Sequence, residues 1–93
     1  MKKLNEELGL LVKEYRNKKN ITQLELSEKL GYDTPQFVSI IERGLARVPL
    51  NVIGQLIVLL GIPEKKITKL LTLNYQEKIQ KEIQFGKKRV VTL

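Results

Sequence analysis

The sequence predicts an all-α fold of five helices. Two observations point there. Apolar residues recur at helical spacing in five successive stretches, and cap and stop residues punctuate those stretches. The clearest punctuation lies between Thr22 and Gly44, in TQLELSEKLGYDTPQFVSIIERG, which reads as two short helices joined by a tight turn.

The first helix is expected to begin after Asn5, a capping residue. Glu6 and Glu7 then lie in its first turn, where the helix dipole favours acids. These adjacent carboxylates lack any partner chemistry and fit a helix start better than an active site. Leu8, Leu11, Val12 and Tyr15 form a core stripe, with Lys13, Lys18 and Lys19 on a solvated face. Asn20 and Ile21 lead into the second helix.

The second helix has its start written in full. The hydroxyl of Thr22 can accept from a first-turn N–H, and the carboxylate of Glu25 can reach back to the N–H of Thr22, a capping box. Leu26 and Leu30 share one face. Ser27 is small enough for another helix to approach. Gly31 follows the last apolar residue, where a left-handed stop is needed.

The third helix is expected to be capped by Thr34, with Pro35 at its first helical position. Val38 and Ile41 face inward, Glu42 lies at the edge of that face, and Gly44 ends the helix. The opposite face carries Gln36, Ile40 and Arg43, flanked by Phe37 and Ser39. A helix anchored inward that shows Gln and Arg outward has the chemistry of a base and phosphate reader. The Gln36 amide donates and accepts at once, which suits the edge of adenine. Phe37 has two readings: packing on thymine methyl groups, or folding back over the turn. Arg43 and Arg47 flank Gly44 and suit phosphates, and Arg43 can also reach guanine.

Pro49 and Leu50 open the fourth helix, with Leu50, Ile53, Leu56, Ile57 and Leu60 at core spacing and Gly61 at its close. Gly54 inside it implies close packing, since glycine there costs stability relative to alanine. The fifth helix is expected from Pro63 to Phe85. Ile67, Leu71, Tyr75, Ile79 and Ile83 stand four apart, with Leu70 and Leu73 beside them. Its first half belongs to the globule and its second half, NYQEKIQKEIQF, projects. An apolar stripe that outlasts its globule suggests a second copy as partner, through Leu71, Tyr75, Ile79 and Ile83. The rival reading folds the helix back onto its own core. Gly86 is expected to end the helix, leaving KKRVVTL as a short basic tail. Lys87, Lys88 and Arg89 suit either a phosphate backbone or a disordered tail, and Val90, Val91 and Leu93 have strand character.

At 93 residues the chain is one domain with an appendage, divided here as 1–62 and 63–93. It has no Cys and no His, which excludes disulfides, thiolate metal sites, a Cys nucleophile and the commonest general base. No pair of groups has the spacing of acid–base, metal or nucleophilic chemistry, and no glycine-rich phosphate loop is present, so no enzyme, cofactor or metal is expected. No apolar run is long enough to span a bilayer and the N-terminus does not read as a signal peptide, so a cytoplasmic protein without a membrane partner is expected. The net charge of +7 suggests a polyanionic partner. Its distribution is uneven: residues 1–62 hold nine Lys and Arg against seven Asp and Glu, and residues 63–93 hold eight against three.

Gln23, Ser27, Gly31, Val38, Ile41 and the ending Ile41-Glu42-Arg43-Gly44 together resemble the helix-turn-helix of phage repressor and Cro-type (Xre-like) regulators. The resemblance covers about residues 6–62. Two departures stand out: Ser27 replaces the usual alanine, and the turn from Gly31 to Thr34 is one residue longer. The resemblance implies a compact repressor-like domain in which Arg16 and Glu42 form a partly buried ion pair that orients the third helix, and in which Gln23 contacts DNA. The expected DNA-contacting set is Thr22, Gln23, Thr34, Gln36, Phe37, Ser39, Ile40, Arg43 and Arg47. The expected function is a sequence-specific double-stranded DNA-binding transcription regulator, a dimer that places the helix Pro35–Arg43 in the major groove of operator half-sites. The alternative is a protein-interaction module, an antitoxin or transcription adaptor, whose partner protein is held by the C-terminal helix.

Overall fold

The computed structural model describes residues 2–91. Among them the elements are α1 (Lys2–Lys18), α2 (Gln23–Lys29), α3 (Gln36–Glu42), α4 (Leu50–Leu60) and α5 (Glu64–Val91), with no strand. The first four helices and the start of α5 enclose one aliphatic core. Val12, Leu26 and Val38 from α1, α2 and α3 meet at its centre, and Leu56 and Leu60 of α4 close it from the other side. Ile62 and Ile67 carry the core into α5, whose distal part leaves the globule and gives the molecule a length of 56 Å.

α1 starts earlier than its sequence signals suggest. It begins at Lys2, and Asn5 lies inside it rather than at its cap. The reason is Leu4, which stands one turn before Leu8 on the same stripe and is buried; burial outweighs a capping preference. Glu7 therefore sits in the second turn and faces Lys3 at 3.8 Å. The chain leaves α1 through Asn20 in a left-handed conformation (φ 56°), which asparagine tolerates.

Thr22 caps α2 as its sequence indicates. Glu25 N–H donates to Thr22 Oγ1 and Thr22 N–H donates to Glu25 Oε1, both at 3.0 Å. Gly31 (φ 95°) turns the chain out of α2 and sends its N–H to Glu28 O. Thr34 does not cap α3. The longer turn delivers Pro35 to the cap position, already in helical conformation, and no side-chain oxygen reaches the first N–H groups.

The close approach expected at Gly54 falls at another glycine. Gly54, expected at a close approach, is exposed, and a Cβ there meets nothing within 4 Å. Gly9 holds the close approach instead: a Cβ there falls on the carbonyl oxygens of Ile41 and Glu42, so α1 and α3 pack backbone to backbone. Leu50, expected in the core, is exposed at the start of α4. Its place in the stripe is taken by Val48, which enters the core from the preceding loop.

Gly86 does not break α5, which runs on to Val91. A glycine costs about 1 kcal/mol relative to alanine in a helix interior. It does not clash, and the lysines and arginine that follow favour both the helix and its C-terminal dipole. The basic segment is thus the last turn of α5, and Val90 and Val91 are helical rather than strand-like. Leu93 lies outside the described residues.

Candidate nucleic-acid interface

The site grows from a clamp between α1 and α3. Arg16 stands at the end of the α1 stripe, one turn past Val12, and points at the C-terminal end of α3. Its Nε donates to Glu42 Oε2 at 2.6 Å and its Nη2 to Glu42 Oε1 at 3.0 Å, a two-pronged ion pair with side chains only 11% and 3% exposed. Its Nη1 donates to the carbonyl of Ile21 at 2.9 Å, which fixes the α1–α2 connection as well. Gln23, in the first turn of α2, donates through Nε2 to Glu42 Oε1 at 3.0 Å. One carboxylate therefore gathers α1, α2 and α3. Its hydrogen bonds raise the pKa of Arg16 further above its already high value, more than burial lowers it, so the guanidinium stays charged.

Below the clamp, Gly9 allows α3 to lie directly on α1. Beyond it, Gly44 (φ 68°) ends α3 against the backbone of Glu6, where a Cβ would come within 2.7 Å of the Glu6 Cα. With Val38 and Ile41 buried, these contacts fix the roll of α3 about its own axis. That roll decides what faces outward. Gln36 and Arg43 are exposed, and Ser39 and Ile40 are half-buried between them. Arg43 Nε rests on the carbonyl of Ser39 at 3.3 Å, which lays its guanidinium along the helix.

The expected DNA-contacting residues do not all come together. Gln36, Ser39 and Ile40 lie on α3 with Arg43 at its C-cap, and Thr22 and Gln23 lie at the N-terminus of α2. Thr34 is exposed in the turn, its hydroxyl not engaged as a helix cap. Arg47 stands apart, with Nη2 3.5 Å from the hydroxyl of Tyr75 on α5. Phe37 is half-buried and stacks on Tyr32, with centroids 4.1 Å apart and planes at 17°. Of its two readings, folding over the turn is the geometry observed.

Tyr32, Gly9 and Ile21 were not singled out for the site by the sequence. Tyr32 lies in the turn and its partner Phe37 is five residues away, a signal legible only in a chain with three Tyr and two Phe. Ser27 is fully buried where α2 meets the core, and its hydroxyl finds no hydrogen-bond partner among the described residues. Among the described residues no group of His, Cys, Asp and Glu could hold a metal ion, and no helix is long and apolar enough to cross a membrane.

A pair of short helices with an apolar inner side and a polar outer side, joined by a glycine turn and clamped to a preceding helix, defines a helix-turn-helix domain. A helix-turn-helix family model matches residues 12–67, more than half of the chain. The protein belongs to that family, the Cro-type (Xre-like) DNA-binding transcription regulators, whose partner is double-stranded DNA and which are typically not enzymes. No curated protein and no solved structure matches the chain.

Proposed function

We propose that this protein is a sequence-specific operator-binding regulator that acts as a homodimer, with α3 of each copy in the major groove of one half-site. The observation that carries the reading is the fixed roll of α3. The Arg16–Glu42 clamp and the Gly9 contact tie α3 to α1 at two places, with Gln36 at the start of α3 and Arg43 at its C-cap exposed. A reader must hold its amide or guanidinium in register with a base edge, and a rigid mount makes one base pair better than its competitors. Gln36 is assigned to an adenine edge, Arg43 to a guanine edge or an adjoining phosphate, and Ser39 and Ile40 to the groove wall between them. Thr22 and Gln23 meet a phosphate at the α2 N-terminus, where free N–H groups and the dipole favour an anion. Gln23 has two amide hydrogens; one holds Glu42 and the second is available to phosphate. Thr34 and Arg47 are assigned to phosphates flanking the groove. Phe37, stacked on Tyr32, supports the turn.

Two copies would set their α3 helices about 34 Å apart on one face of the duplex. The test is selection of binding sites from random duplex DNA, with the wild-type protein and Gln36→Ala in parallel. A two-fold symmetric site, relaxed at the same position of each half by Gln36→Ala, is the expected result. Weak binding with no preferred sequence, governed only by salt, would refute the reading and leave the lysines of α5 as the nucleic-acid contact.

A further inference from the structure

The four-residue spacing of Ile67, Leu71, Tyr75, Ile79 and Ile83 suggests a single face, and the structure divides it into two. A helix turns about 100° per residue, so each four-residue step gains about 40°. Ile67 is buried, Leu71 packs on the core, and Tyr75 is half-buried beside Arg47. By Ile79 and Ile83 the stripe has turned about 120–160° away from Ile67. Both residues point away from their own globule and are 56% and 54% exposed. They join a different row with Gly86 and Val90, the last 69% exposed. The spacing along that row is four, three, four, the alternation of a two-helix seam.

We propose that this seam, Ile79, Ile83, Gly86 and Val90, pairs in parallel with the same seam of a second copy of this chain. The proposal rests on the reading of the protein as a dimeric DNA binder and names the surface that makes the dimer. Three observations favour a second copy in this orientation. First, every residue from 76 to 90 on α5 is exposed, and an isolated helix of about 15 residues is marginal in water; pairing supplies the missing burial. Second, Ile83 and Val90 fall at the a positions and Ile79 and Gly86 at the d positions of one repeat, so the four residues face a single side of the helix and form one row for a partner helix. Third, Glu82 and Lys87 flank the seam on opposite sides, five residues apart. In a parallel pair each Glu82 faces the other copy's Lys87, giving two symmetric ion pairs. Gly86, whose missing Cβ leaves open space in the single chain, lets the two helices approach most closely between the isoleucines and Val90.

The chain contains no cysteine, so one introduced thiol per chain reports the pairing without background. Ile79→Cys is expected to form an interchain disulfide under mild oxidation, whereas Lys81→Cys, on the outer side of the helix, is not. An antiparallel pair would set Ile79 opposite Val90 and hold the two copies of residue 79 about 16 Å apart, beyond disulfide reach. Sedimentation of the wild-type chain without DNA is expected to give roughly twice the monomer mass, and Ile83→Asp to return it to one chain while the globule still melts cooperatively. A monomeric wild type, an unchanged mass for Ile83→Asp, or disulfide formation at Lys81→Cys but not Ile79→Cys would each overturn the proposal. A monomer whose seam instead holds an unrelated protein would do the same. DNA is absent from this measurement. A chain that dimerises here yet selects no operator keeps the seam and loses the operator reading; a monomer that still selects a half-site does the reverse.

Discussion

Replacing Arg16 by alanine removes the guanidinium from between Glu42 and Ile21 and leaves the Glu42 carboxylate, 3% exposed, with Gln23 as its remaining partner. Breaking a buried ion pair from one side costs about 3–5 kcal/mol, because a charge remains desolvated without its counter-ion. A domain of this size has about 5–14 kcal/mol in total, and each kcal/mol moves its melting temperature by about 4–8 °C. Arg16→Ala is therefore expected to lower the melting temperature by more than about 12 °C, followed by circular dichroism at 222 nm. The same reasoning makes a second, sharper claim. In Arg16→Met with Glu42→Leu no charge remains buried, and apolar groups of similar volume replace the pair. Such exchanges are often neutral, so the double variant should melt far closer to wild type than either single variant. An unchanged melting temperature for Arg16→Ala, or a double variant as unstable as the sum of the two singles, would refute the account. The double variant also separates stability from function. It keeps the fold but frees Gln23 and loosens the roll of α3, so operator selectivity should fall although the protein remains folded.

Four further outcomes follow from the geometry. Gly9→Ala should destabilise the domain by about 1–3 kcal/mol through overpacking against Ile41 and Glu42, whereas Gly54→Ala, in open space within α4, should stabilise it by about 0.5–1 kcal/mol; thermal melts of the two should move in opposite directions. Glu25 has its pKa lowered by the N–H and hydroxyl of Thr22, so its contribution is present above the ordinary carboxylate range and is lost as pH falls through its lowered value. The melting-temperature gap between wild type and Glu25→Gln should therefore be open at neutral pH and close in acid. Ser27→Ala removes a buried hydroxyl that has no hydrogen-bond partner among the described residues and should leave stability unchanged or raise it in denaturant titration. If the dimer contacts about six phosphates, operator affinity should fall with salt at a log–log slope of about −5, measured by fluorescence anisotropy.

What the sequence made legible was whatever depends on neighbours in the chain. The capping box of Thr22 and Glu25 is complete within four residues, and the structure reproduces both of its bonds. The inward set Val38 and Ile41 follows from spacing alone. What depended on a distant backbone was misplaced. Gly9 and Gly54 carry the same local signal, a glycine inside an apolar helix, yet only Gly9 lies under another helix. Their own faces hold the difference: Val12 and Arg16 beside Gly9 are buried, and Leu50, Asn51 and Val58 around Gly54 are exposed. The end of α5 was misread for a related reason. Gly86 is a stop signal only where the chain gains by turning, and no packing draws it back toward the globule. The outward residues of α3 were legible as a face. Phe37 left that face because Tyr32, in the lengthened turn, offers it a ring to stack on.

If α3 reads DNA as proposed, the charge distribution gives the distal half of α5 a part in binding. Residues 1–62 carry nine basic against seven acidic side chains, and the clamp takes one of each, Arg16 and Glu42, so the small excess is unchanged. The globule alone therefore has little electrostatic hold on phosphate, and on the proposed reading Gln36 and Arg43 would offer selectivity rather than strength. A single domain on a single half-site should bind weakly. Joining two copies makes the second contact intramolecular, which strengthens binding by about 10²–10⁴ without a new contact to DNA. This gain appears only if both readers fit one duplex face at once. The sequence read would then include the spacing between half-sites as well as the bases within them. Ile83→Asp should accordingly leave the half-site preference intact while removing the preference for one spacing. If selection of sites by that variant still returned paired half-sites at a fixed distance, the copies would be joined elsewhere.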